Sequence, residues 1–269
     1  MLFTEKKSAL VRLSDSIKVM INECYFTTEE IIELYEKNRD AFEELQSLAR
    51  KTLTNDNLLE DFDEKAEKLI SKIPENVFFR GEQLQMILHG QSMQVVLTSC
   101  FVLESYINSL SYFLFKQEDY LGLIRAGHET TADIILTSID KMNALEKWDS
   151  LGRFNTGNSF DKSRAPFQNC KIIFNFRNDI VHDKVTEYSN DRAAKNYNNL
   201  LPDPVIGMLD LTHANFAAQT YWDMIIEIHK LLNYDIQKFH RHYNLMPWYD
   251  QDHQKNSQKL GAKYKKLFL

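Results

Sequence analysis

Met93 to Phe115 reads MQVVLTSCFVLESYINSLSYFLF, the most apolar stretch of the chain, and where it sits decides the fold. It is long enough to cross a bilayer as a helix, which takes about 20 residues. However, it carries Gln94, Glu104 and Asn108, and a carboxylate in mid-span is costly in lipid. A helix buried in protein is the better reading, because there the polar side chains can find partners. The helix is expected to run from about Glu82 to Phe115, with Gly90 as the point where it would break.

The rest of the chain must supply the cover for that helix. It has 269 residues, 43% hydrophobic and 26% charged, with 8 Gly and 5 Pro. That is one or two domains by length, too apolar for disorder and too poor in Gly and Pro for a fibre. The abundance of Leu, Ile, Lys and Glu favours helix over a turn-rich sandwich. The chain is expected to be all-α, with no strand–helix alternation to support a parallel sheet.

Outward from the apolar stretch the same logic marks further helices. Thr27-Thr28-Glu29-Glu30 fits a capping box, with Ile31, Leu34, Tyr35, Phe42, Leu45 and Leu48 at helical spacing. A helix from about Leu58 to Ile73 should stop at Pro74, giving an acidic helical hairpin. Thr130 to Asp133 should open another, with Ile134, Ile135, Ile139, Met142 and Leu145 inward. Leu151 to Ser163 reads as a loop, and Pro166 as the first turn of a helix reaching about His182. Val205 to Leu209 suggests a lone strand or hairpin. Thr212 should cap a long helix from His213 to about His240. The segment after Trp248 reads as a polar, basic, mobile tail. The resulting division is an acidic helical region at 1–80, a helical bundle at 81–248 and a basic tail at 249–269.

Net charge is −6, and all of it lies in residues 1–90, where 12 Lys and Arg face 18 Asp and Glu. No global basic field announces nucleic acid, so local patches would have to bind it. Cys24, Cys100 and Cys170 are sparse and set in apolar surroundings, as in a reducing compartment. No signal-peptide pattern opens the sequence. Cytoplasmic location is therefore expected, without a membrane partner.

The polar constellation lies in PFQNCKIIFNFRNDIVHDK, Pro166 to Lys184. On a helical wheel Phe167, Cys170, Ile172, Ile173, Phe174, Phe176, Ile180 and Val181 form an apolar arc, and Arg177 falls in its middle. A guanidinium there must be paired or must look into a cleft or an interface, since unpaired burial is expensive. Asn178 and His182 are i, i+4 neighbours. Arg presents fixed donors that suit a phosphodiester. His can take a proton from a hydroxyl and return it to a leaving oxygen. The spacing alone is common, since 10 Arg and 8 His in the chain give about one match by chance. The setting adds the weight: Arg177-Asn178-Asp179-Ile180-Val181-His182 ends an apolar helix, downstream of a helix bearing Phe101 to Asn108.

In this arrangement the chain resembles the HEPN superfamily, helical bundles with an Arg-x4–6-His motif, over roughly residues 85–240. The resemblance implies a HEPN-like bundle, and the additional N-terminal hairpin of residues 1–80 lies outside it. It also implies a metal-independent endoribonuclease of toxin–antitoxin or antiviral defence type, acting as a homodimer, with an antitoxin or regulatory protein as a further partner. Arg177 would hold the phosphate, His182 would be the acid and base, and Asn178 would support them. Glu104, on the preceding helix, would steady the site or be a core carboxylate paired with Arg177 or a Tyr. No cofactor or metal is implied, and the remaining histidines form no ligand spacing. The alternative is a non-catalytic HEPN-like module that binds RNA or a partner protein.

Overall fold

The computed structural model describes residues 2–53, 62–114, 125–181, 208–235 and 244–268. Among them every regular element is a helix: α1 (Leu2–Lys37), α2 (Arg39–Leu53), α3 (Phe62–Ile70), α4 (Glu75–Leu114), α5 (Glu129–Lys141), α6 (Ala144–Thr156), α7 (Phe167–Val181), α8 (Leu211–Leu231) and α9 (Gln251–Phe268). The chain is all-α. The expected strand at Val205 to Leu209 lies largely outside the described residues, and Met208 to Asp210 are non-helical.

The long apolar helix is α4, 40 residues and unbroken at Gly90. It starts directly behind Pro74, whose carbonyl accepts from Val77 and Phe78 N–H at 2.8 and 3.0 Å; proline's fixed φ suits a helix start. By length and composition the helix is apolar enough to cross a membrane, and one side of it is buried inside the protein. Leu84, Leu88, Val95, Val96, Cys100, Val102, Leu103, Tyr106 and Ile107 are its buried side.

α1 lies antiparallel along α4. Gln85 donates to the Tyr35 hydroxyl at 3.1 Å, Thr27 donates to Gln91 at 3.0 Å, and Cys24 Sγ lies 3.8 Å from Ser92 Oγ. The capping box expected at Thr27 to Glu30 does not start a helix, because α1 runs straight through it. Leu10, Ser14, Ile17, Ile21, Cys24, Thr28 and Ile31 are all buried, a stripe with alternating three- and four-residue spacing that continues past the threonines. Thr28 instead turns its hydroxyl back onto the Cys24 carbonyl, at 2.6 Å.

Other boundaries move for similar reasons. Ile134 and Ile135, expected inward, are 61% and 37% exposed, and among the described side chains of α5 only Ile139 is buried. The apolar pattern is split there: α5 ends at Met142, and Asn143 starts α6 through a reciprocal capping box with Glu146. α6 then occupies half of the expected 151–163 loop. Gly157 (φ 76°) is its left-handed C-cap, so that glycine marks a helix end. α8 is capped by Asp210, not Thr212, and it ends at Leu231, short of His240.

The segment expected to be a mobile tail contains α9, docked on the bundle. Ser257, Gly261 and Tyr264 recur at helical spacing and are buried. Ser257 donates to Asn215 of α8 at 2.8 Å, and Lys263 pairs with Glu36 of α1 at 2.8 Å. One continuous core joins α1, α4, α6, α7, α8, Leu245, Trp248 and α9.

The tightest backbone approach is at Gly152 of α6, where an added Cβ would stand 2.6 Å from the Asn158 carbonyl oxygen. Gly152→Ala should destabilise the fold by about 1–3 kcal/mol through overpacking. Gly81→Ala, whose Cβ would meet Leu34 at 3.6 Å, should be neutral or gain up to about 1 kcal/mol of helix propensity. Urea denaturation of the two variants beside the wild type measures the contrast.

Candidate functional site

α7 reaches the core through its apolar arc. Phe167, Cys170, Ile172, Ile173, Phe174 and Phe176 are buried, and Cys100 of α4 donates to the Ile173 carbonyl at 3.5 Å. That contact aligns α7 with the stretch of α4 that bears Glu104. Arg177 projects at the margin of this contact, its side chain 21% exposed, and its guanidinium Nη2 donates to Glu104 Oε1. The expectation that an arginine in an apolar arc must be paired or face a cleft resolves into a pair with Glu104.

Two further features hold the guanidinium. Nη1 donates to the exposed Asn178 Oδ1 at 3.2 Å. Cζ lies 5.7 Å from the centre of the Phe174 ring, within range of a cation–π attraction. Nε is buried and, among the described residues, has no hydrogen-bond acceptor. Glu104 is 34% exposed, so the pair is half open to solvent.

Arg177, Asn178 and Glu104 thus come together. His182 lies outside the described residues, as does its expected contact with Asn178. Cys100, one turn before Glu104, does not supply a reactive thiolate: burial pushes its pKa up to about 12, Glu104 adds to the shift and only Arg177 opposes it. Among the described residues no three His, Cys, Asp or Glu side chains are grouped as metal ligands would be. No protein-family model, curated protein or solved structure matches this chain.

Two polar clusters elsewhere are missed from sequence. The Tyr106 hydroxyl lies 2.5 Å from His229 Nε2, and the Tyr106 ring stacks on Trp148 at 5.9 Å. His229 sits on the buried face of α8, where burial lowers its pKa to about 4. The second cluster caps α8. Asp210 accepts from Thr212 N–H at 2.7 Å and His213 N–H at 3.3 Å, and its carboxylate lies 2.9 Å from His213 Nδ1. Burial alone would raise the Asp210 pKa, but hydrogen bonding and charge from His213, with the Thr212 amide, hold it below the ordinary carboxylate value. The sequence signal for the cap was an Asp three residues before a side chain able to reach back.

The Arg177–Glu104 pair should show a coupling of about 1 kcal/mol in a double-mutant cycle of Arg177→Met and Glu104→Gln, as expected of a half-exposed pair. His229 sets a pH dependence. Its folded pKa, about 4, lies below the ordinary 6.5, so between those values the unfolded chain binds the extra proton. Stability from this residue is full above pH 6.5 and drains as pH falls towards 4, by on the order of 3 kcal/mol at most. Urea midpoints from pH 7 to 4.5 should therefore fall less steeply for His229→Gln than for the wild type.

Proposed function

We propose that the chain is a metal-independent endoribonuclease of HEPN type that cuts RNA through the substrate's own 2′-hydroxyl. The observation that supports this most directly is the half-open Arg177–Glu104 pair. It is a guanidinium held by a carboxylate, a ring face and Asn178, with part of its surface left to solvent. A cation fixed in this way can hold a phosphodiester and take up the charge that develops on its oxygens without reorganising during the reaction. Glu104 and Phe174 act on Arg177 as positioning groups.

In this reading His182 removes the proton of the 2′-hydroxyl while that oxygen bonds to phosphorus. The bond from phosphorus to the 5′-oxygen of the next nucleotide breaks, and the leaving oxygen receives a proton from the imidazolium. The products carry a 2′,3′-cyclic phosphate and a 5′-hydroxyl. Asn178 orients the imidazole or the phosphate. The partner is RNA, and the setting implied by the HEPN resemblance is a toxin or antiphage system in the cytoplasm.

The second reading is a non-catalytic HEPN-like module that binds RNA or a partner protein. It is favoured by one feature: Glu104 already neutralises Arg177, which a purely structural arginine also requires.

RNA cleavage in EDTA, with analysis of the product ends, separates the two. The wild type should yield cyclic-phosphate ends. His182→Ala should lose about 10²–10⁴-fold in rate, and Arg177→Ala about 10²-fold or more. Wild-type cleavage by either variant would remove that residue from the site. RNA binding without cleavage by any of the three proteins would favour the module.

A further inference from the structure

Arg177 is not alone in being turned inward against α4. α6 buries Lys147 together with Trp148, Leu151 and Gly152, and Lys147 is only 9% exposed. Lysine is rarely buried to this extent unless an acid pairs with it, because an ammonium withdrawn from water is costly to leave uncompensated. Lys18 shows the usual arrangement. It is 5% exposed, and its Nζ donates to the Asp15 carboxylate at 2.8 Å and to the Asn244 carbonyl at 3.0 Å.

Among the described residues Lys147 has no such acid. Its Nζ donates to Asn108 Oδ1, a neutral amide, at 2.7 Å. The carboxylates beside it in sequence are committed elsewhere. Glu146 accepts from the Asn143 N–H at 2.9 Å, and Asp149 pairs with both Arg153 and Lys162.

Asn108 ties Lys147 to the candidate site. It follows Glu104 by four residues on α4, so the two lie ~40° apart on one face and ~6 Å apart along the axis. α7 brings Arg177 onto Glu104, and α6 brings Lys147 onto Asn108 one turn further along. Two cations are thus anchored on neighbouring turns, with one carboxylate between them. Glu104 is 34% exposed and Asn108 is exposed, so the surplus positive charge borders solvent, where an anion can reach it.

We propose that Lys147 is a second phosphate-binding residue of this site and contacts the phosphodiester next to the one that Arg177 holds. The identity of the ligand rests on the ribonuclease reading. One helical turn is comparable to the step between successive phosphates of an RNA strand, so a strand laid along this face meets both cations. Lys147 touches no reacting atom; it fixes the register of the strand on Arg177. An ammonium is a point charge, and a phosphate contact of this kind carries no base preference.

A 2′-O-methyl oligonucleotide of mixed sequence, which cannot be cut through its 2′-oxygen, reports the contact by fluorescence anisotropy across a salt series. Lys147→Met keeps the apolar stem, and Lys147→Gln also keeps a donor for Asn108. Each should retain the wild-type helical circular dichroism and weaken binding by about tenfold. Each should also reduce the slope of log K against log salt by ~0.7, the value of one contact to a single strand. Lys68→Met, which removes an exposed lysine paired with Glu64 on α3, should change neither. In cleavage of ordinary RNA both Lys147 variants should raise KM by about tenfold and leave kcat unchanged, whereas Arg177→Ala loses kcat. Cleavage by the wild type, with the salt slope and KM unmoved in both Lys147 variants, would overturn the Lys147 contact and leave the ribonuclease reading standing. Binding that depends on Lys147, without cleavage, would keep the contact and remove only the chemistry. A wild type that neither binds nor cuts RNA would overturn both.

Discussion

Burial of one long apolar arc organises this molecule. α4 carries 40 residues over roughly 60 Å of helix, and its buried side changes partner along its length. Near its start it packs against Leu34 and Tyr35 of α1, through Gly81 and Gln85. In the middle it meets Cys24 and Thr27 of the same helix. Towards its end Cys100 contacts α7 and Tyr106 meets His229 of α8 and Trp148 of α6. Each fully buried leucine or isoleucine contributes about 1.5–3 kcal/mol relative to exposure. The helices that cover α4 are therefore placed by it, and α9 closes the far side of α1 and α8.

The Arg177–Glu104 pair follows from that placement. α7 can bury Ile173 and Phe174 against α4 only with Arg177 facing the same helix, and an arginine in that position needs a carboxylate. Glu104 is the acid that the polar interruption in the apolar stretch supplies. The residue that argued against a membrane span is the one that meets the guanidinium. By contrast, the buried Tyr106–His229 contact depends on the neutral imidazole, which burial maintains.

The comparison of sequence with structure turns on which signals are local. Helical class was legible from composition, and so was the end of α3 before Pro74. The centre of α4 was legible because its polar residues are few and regularly buried neighbours surround them. The α7 arc and its misplaced arginine were legible from periodicity. Thr27–Thr28 looked like a cap because the residue types are right, but a hydroxyl can bond the preceding turn as readily as a free amide. α9 was read as a tail because its buried residues, Ser257, Gly261 and Tyr264, are small or polar. The burial of Ser257 and Gly261 comes from close approach to Asn215 and Thr212, while Tyr264 joins the apolar core.

By itself the sequence determined that the chain is helical, that the stretch around Glu104 forms a long apolar helix, and that Arg177 requires a partner. These follow from period, desolvation cost and charge, which act within one helix. Only the tertiary structure decided that the partner is Glu104, that His229 is buried against Tyr106, and that α9 docks. Those outcomes depend on which helices come together across separations of tens to hundreds of residues, and no local pattern encodes that distance.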